Sequence, residues 1–294
     1  MNDFQPLARM RVSKRTALRC LIGGVFATTL GFSAAASAET RKVQRGETTI
    51  EYLVDGRGPT VLMIASLGRP AEDFDDLSAR LVATGFTTVR PQPRGIGGSR
   101  GPMKGLTLRD LADDAMATMP ADGSPIVIIG HAFGQRVARM VATLHPERVA
   151  SVVMLAAGGK APMRPGARAA LEAVFDPKLP PDQHLAAVKF AFFADGNDPA
   201  VWRDGWYGDT AQMQSEATQA LKVEEWWGGG KAPLLVIQGL QDTVAPPENG
   251  RMIKAEFADR ATLHEIDGAG HALLPEQPKQ LADLVIEYLR RGKR

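Results

Sequence analysis

The sequence predicts an α/β fold built on a mostly parallel sheet with helices on both faces. Short runs rich in Val, Ile and Leu recur along the chain, and the stretches between them carry apolar residues at three- and four-residue spacing. Composition agrees: 294 residues, 44% hydrophobic and 23% charged, can build one sizeable core and lack the signature of disorder.

In chain order, strands are expected at Thr48–Val54, Thr60–Ala65, Thr87–Pro91, Ile126–Ile129, Ala150–Leu155, Pro233–Gly239 and Ala261–Ile266. Several are continuous apolar runs, as suits strands buried on both faces. Helices are expected at Asp73–Thr84, Thr107–Met119, Phe133–Leu144, Pro247–Phe257 and Pro278–Arg290, several of them opened by Asp, Thr or Pro. Between the fifth and sixth expected strands lies a stretch without strand alternation that holds all four tryptophans, in the span Trp202–Trp227. It reads as an inserted helical lid at about 158–230, and Gly228-Gly229-Gly230 marks the return to the sheet.

Residues 1–38 read as an export signal that places the protein in the periplasm or outside the cell. A basic region ends at Arg19, an apolar stretch runs from Leu21 to Phe32, and Ala36-Ser37-Ala38 fits the small-residue cleavage rule. The apolar stretch is too short for a membrane span of about 20 residues. Residues 39–294 are then a single domain with 30 bases against 32 acids, which excludes a nucleic-acid or other polyanion partner. Cys20, the only cysteine, lies in the leader, so the mature chain has no thiolate chemistry.

Gly130-His131-Ala132-Phe133-Gly134 directly follows an expected buried strand and directly opens an expected helix. Glycines two residues either side of a central residue suit a sharp strand-turn-helix elbow, where side chains at those places would collide. This pattern resembles that of the α/β-hydrolase superfamily, and the resemblance extends over about 45–290. It implies the α/β-hydrolase fold and departs from the family's Gly-x-Ser-x-Gly at the central residue: Ala132 stands at the nucleophile position. The resemblance further implies an acid after a late strand and a histidine after the last one. Asp242, in Leu240-Gln241-Asp242, and His271, in Asp267-Gly268-Ala269-Gly270-His271, occupy those places.

By the same resemblance, backbone N–H groups of Phe133 and of either Arg69 or Leu67 form an oxyanion hole. The Ser66-Leu67-Gly68 form is close to enol-lactone hydrolases, and the serine-less elbow is similar to the aminoacrylate hydrolase of pyrimidine breakdown. Ser66 is a weaker candidate for a replacement nucleophile, and His131 is expected to pack rather than react. Arg94-Gly95-Ile96-Gly97-Gly98-Ser99 is expected to be a structural turn, so no cofactor is implied, and the histidine spacing gives no metal site. The inserted segment has more acids than bases, and Trp202, Trp206, Tyr207, Trp226 and Trp227 line an apolar pocket or hold the lid to the core. The partner expected is therefore a small, apolar or uncharged substrate. Three functions fit: hydrolysis of an activated ester, lactone or carbamate by water that an Asp242–His271 dyad activates; ligand binding without turnover; or nucleophile-free lyase or decarboxylase chemistry.

Overall fold

The computed structural model describes residues 38–291; the expected leader lies, apart from Ala38, outside them. The strands are β1 (Glu39–Arg45), β2 (Thr48–Gly56), β3 (Thr60–Ile64), β4 (Thr87–Pro91), β5 (Ile126–His131), β6 (Val149–Leu155), β7 (Leu234–Gly239) and β8 (Ala261–Ile266). They form one sheet in the order β1-β2-β4-β3-β5-β6-β7-β8. β1 and β2 pair antiparallel, as do β2 and β4, and the remaining pairings are parallel. β1 is absent from the sequence expectation because Glu-Thr-Arg-Lys-Val-Gln-Arg carries almost no apolar signal. Such a charged strand suits a sheet edge, where it discourages pairing with other chains.

The helices are α1 (Asp75–Ala83), α2 (Leu108–Ala117), α3 (Phe133–Leu144), α4 (Ala167–Ala173), α5 (Pro181–Phe192), α6 (Gly208–Gln219), α7 (Glu224–Trp227), α8 (Glu248–Glu256), α9 (Leu273–Glu276) and α10 (Pro278–Arg291). Helices α4 to α7 all fall between β6 and β7. The helix expected at Asp73–Thr84 begins instead as a tight 3-10 turn, Ala71–Phe74, before α1 takes over. Thr107 starts α2 with a capping box, its hydroxyl accepting from the Arg109 N–H while Asp110 accepts from the Thr107 N–H.

Period-two alternation divides the sheet side chains between two cores. Leu62 and Ile64 of β3 join Ile128, Val152, Met154, Leu234 and Val236 beneath α2, α3 and α8. Val61 and Met63 join Ile129, Val153, Leu155, Leu235 and Ile237 beneath α1 and α10. Burial on both faces explains why these strands are continuous apolar runs. A third cluster belongs to the inserted segment and gathers Val174, Val188, Phe192, Phe193 and Trp202 around Ala272. Among the described residues no helix is long and apolar enough to cross a membrane.

Candidate active site

The parallel strands end together on the side where α3 begins, and the turn that joins β5 to α3 is strained. Ala132 has φ 50° and ψ −109°, a conformation that L-residues rarely adopt. The flanking glycines make it feasible. A Cβ at Gly134 would stand 2.0 Å from the Ile64 carbonyl oxygen, and one at Gly130 would stand 2.5 Å from the backbone of Gln135. The Ala132 N–H is itself held by the Leu155 carbonyl at 2.9 Å. The turn is therefore wedged between β3 and α3, and any other residue at either glycine would force them apart.

Two loops further along bring Asp242 and His271 together. Asp242 follows β7 and is fully engaged: its Oδ1 accepts from the N–H groups of Val244 and Ala245, at 2.9 and 2.7 Å, and its Oδ2 lies 2.8 Å from His271 Nδ1. Both side chains are buried. With Nδ1–H donating to the carboxylate, Nε2 is the nitrogen left for chemistry. The His271 loop is fixed from behind. Glu276 Oε2 accepts from the Gly270 N–H at 2.8 Å, while Oε1 accepts from the Ala194 N–H and from Asn197 Nδ2. Burial pushes the Glu276 carboxyl up from the usual range.

His131 is wholly buried, and its Nε2–H donates to the His271 carbonyl at 2.8 Å. Burial first, and the neighbouring His271 second, push its pKa down to about 3, so the ring is neutral and acts as a brace. The Arg94–Ser99 turn is likewise structural: Arg94 forks onto Asp114, and the Ser99 hydroxyl joins the Gln92 carbonyl to the Glu51 N–H.

Ala132, Phe133, Leu67, Ser66 and His271 line one cavity of about 400 Å³. A wider cleft of about 1170 Å³ between α4, α5 and α6 shares Leu67, Arg168 and Leu171 with it but reaches neither Ala132 nor His271. As the first residue of α3, Phe133 keeps an N–H for which the helix supplies no acceptor. Arg69 does not: its N–H donates to the Ser66 carbonyl at 3.2 Å. Its guanidinium forks onto Asp73 and stacks against Trp202 and Trp206, 4.6 Å from each ring centroid. Of the two expected second donors, Leu67 remains. Ser66 makes no hydrogen bond to His271.

The lining bears on two expectations about the ligand. None of the four tryptophans lines this cavity; Trp226 and Trp227 stack on the buried guanidinium of Arg139, 4.7 Å from each centroid. The rest of the lining is not purely apolar. It includes Arg136, Lys160 and Arg168 and no carboxylate. The excess of acids in the inserted segment, read from the sequence, is spent elsewhere.

Residues 61–284 match the family model described as the alpha/beta hydrolase family. A protein of Variovorax paradoxus (strain S110) named for carbamate hydrolysis, RutD, is 25% identical over 247 residues, covering 76% of this chain and 89% of its own. The non-heme chloroperoxidase of Streptomyces lividans is 27% identical over 252 residues, covering 75% of this chain and 87% of its own. The thermophilic esterase of Thermogutta terrifontis shares the fold with a TM-score of 0.70 at 22% identity, over 87% of this chain and 99% of that one.

Proposed function

Because the chain belongs to the alpha/beta hydrolase family, we propose that it hydrolyses a small activated ester, lactone or carbamate with water as the nucleophile. The observation that carries this reading is the His271 Nδ1 to Asp242 Oδ2 hydrogen bond of 2.8 Å, on the wall of the same cavity as the Ala132 turn. A buried carboxylate held by two backbone N–H groups keeps the imidazole in the tautomer that leaves Nε2 basic. Nε2 takes a proton from a water above the Ala132 methyl group, and the water oxygen bonds to the substrate carbonyl carbon. The carbonyl oxygen becomes an oxyanion held by the Phe133 and Leu67 N–H groups. Collapse breaks the bond to the leaving group, which receives the proton from His271. The likeness to a protein named for carbamate hydrolysis supports the inclusion of carbamates.

The magnitudes restrict the substrate. A positioned general base contributes about 10²–10⁴ and an oxyanion donor about 10²–10³, enough for a good leaving group and too little for an ordinary amide. The test is turnover of a panel of p-nitrophenyl esters, aryl carbamates and enol lactones. His271→Ala and Asp242→Asn are each expected to lower kcat/KM by about 10²–10⁴. Parent-like rates in either variant would remove water activation from consideration.

A further inference from the structure

Arg136 has no role in the dyad and no partner in the fold. It lies four residues after Ala132 on α3, hence on the same helix face one turn along, and it lines the reaction cavity. Among the described residues it forms no ion pair and no hydrogen bond, and its Nε is buried without an acceptor. Its contact is the Trp226 ring, 5.7 Å from the guanidinium carbon. Behind it on α3 is Arg139, whose guanidinium donates to the carbonyls of Trp227 and Gly158 and lies against the Trp226 and Trp227 rings. Burial lowers the pKa of both, and the charge of Arg136 lowers that of Arg139 further.

Arg136 is half-buried with its Nε enclosed, and a cation so placed with neither ion pair nor hydrogen bond has a missing counter-charge that a ligand can supply. The two other bases of the cavity differ. Lys160 is already paired with Glu256 at 2.9 Å and stacked over Trp227, and Arg168 is exposed at the rim. One uncompensated cation inside the cavity calls for one negative charge. We propose that the cavity takes a monoanionic substrate whose carboxylate is held by the forked donors of Arg136 while its ester or carbamate carbonyl lies over Ala132. That this anion is part of a substrate rests on the hydrolytic reading above; the anion site does not. A guanidinium matches a planar carboxylate with two parallel hydrogen bonds. The cavity volume, about 400 Å³, suits a small molecule.

The experiment is a calorimetric titration of the purified protein with monomethyl succinate and with its neutral counterpart, dimethyl succinate. The parent is expected to prefer the anion by about ten- to a hundredfold. Arg136→Met should reduce that preference to about one without lowering the Tm, since it removes a half-buried charge that has no ion pair or hydrogen bond in the fold. Arg136→Lys, which keeps the charge and loses the fork, should fall between, and serves if the Met variant does not fold. An unchanged preference in Arg136→Met, or none in the parent, overturns the proposal; tighter binding of methyl phosphate than of the carboxylate overturns its choice of anion. The same titrations on His271→Ala separate the two readings. Anion preference that persists in the absence of any hydrolysis by the parent removes water activation alone, whereas hydrolysis indifferent to charge removes the anion site alone.

Discussion

Ala132 keeps the backbone of a nucleophile without its hydroxyl. A φ of 50° costs a non-glycine residue about 1–3 kcal/mol, and the turn is held there by the close approach of Gly134 to β3 and by the hydrogen bond to Leu155. A second such residue, Ala156 at φ 51°, sits at the end of β6 on the same cavity wall. Since the elbow geometry is complete, an Ala132→Ser change should place a hydroxyl beside His271 and convert the route to one with a covalent acyl-enzyme. Burst kinetics with p-nitrophenyl esters and labelling by a fluorophosphonate are expected for the variant, while the parent resists the reagent. Because the new side chain takes the place of the attacking water, turnover of the parent's best substrate should fall as generic esterase activity rises. A fluorophosphonate adduct on Ser66 of the parent would contradict this account.

One side chain of α3 bonds to both stems of the inserted helices. Arg139 donates to the Gly158 carbonyl at 2.8 Å, where the segment leaves the sheet, and to the Trp227 carbonyl at 3.1 Å, where it returns. Gln135 adds a weaker bond to Gly158 at 3.1 Å. Arg139→Met should leave the Trp227 carbonyl without a donor and cost about 1–3 kcal/mol in urea unfolding. Hydrogen exchange should quicken in 158–163 and 224–230 while β5 and β6 stay protected. Uniform loss of protection across the sheet would mean that Arg139 supports the whole core and not the stems. These elements also show what a sequence can reveal. The places of Gly130, Gly134, Asp242 and His271 are legible because they follow from chain order and from turns that neighbouring residues dictate. The edge strand β1 is not, since its charged residues carry no apolar alternation. Arg136 is not legible either: a base on an amphipathic helix reads as solvated, and only the folding of 158–163 and Trp226 over it makes it part of the wall. The competition for the Arg69 N–H is equally hidden, because it arises within one short turn.

For the molecule as a whole, the buried brace at His131 sets a pH response. In the unfolded chain its imidazole titrates near 6.5, and in the fold near 3. Between those values the unfolded state binds a proton that the native state refuses, so the stability is fully present above about pH 6.5 and declines as the pH falls toward 3, by at most about 1.4 kcal/mol per pH unit. Glu276 acts in the opposite sense: its raised carboxyl pKa favours the native state on protonation and softens the decline just above pH 4.5. Urea unfolding from pH 7 to pH 4 should show the falling stability, and His131→Gln should flatten it. A parent curve as flat as the variant's would mean that the ring is protonated in the native state.

The cavity has two owners. Arg136 is carried by α3, which the sheet holds in place, whereas Arg168, Ser215 and Gln219 belong to the helices between β6 and β7, and Met163 to the loop that leads into them. Exchange of those helices for another set that still folds over Arg136 would redraw the outline of what enters and, on the proposed anion site, keep the demand for negative charge. A lineage that diversifies by trading this segment therefore samples new shapes from within one class of acids, and leaving that class requires a change on α3 itself.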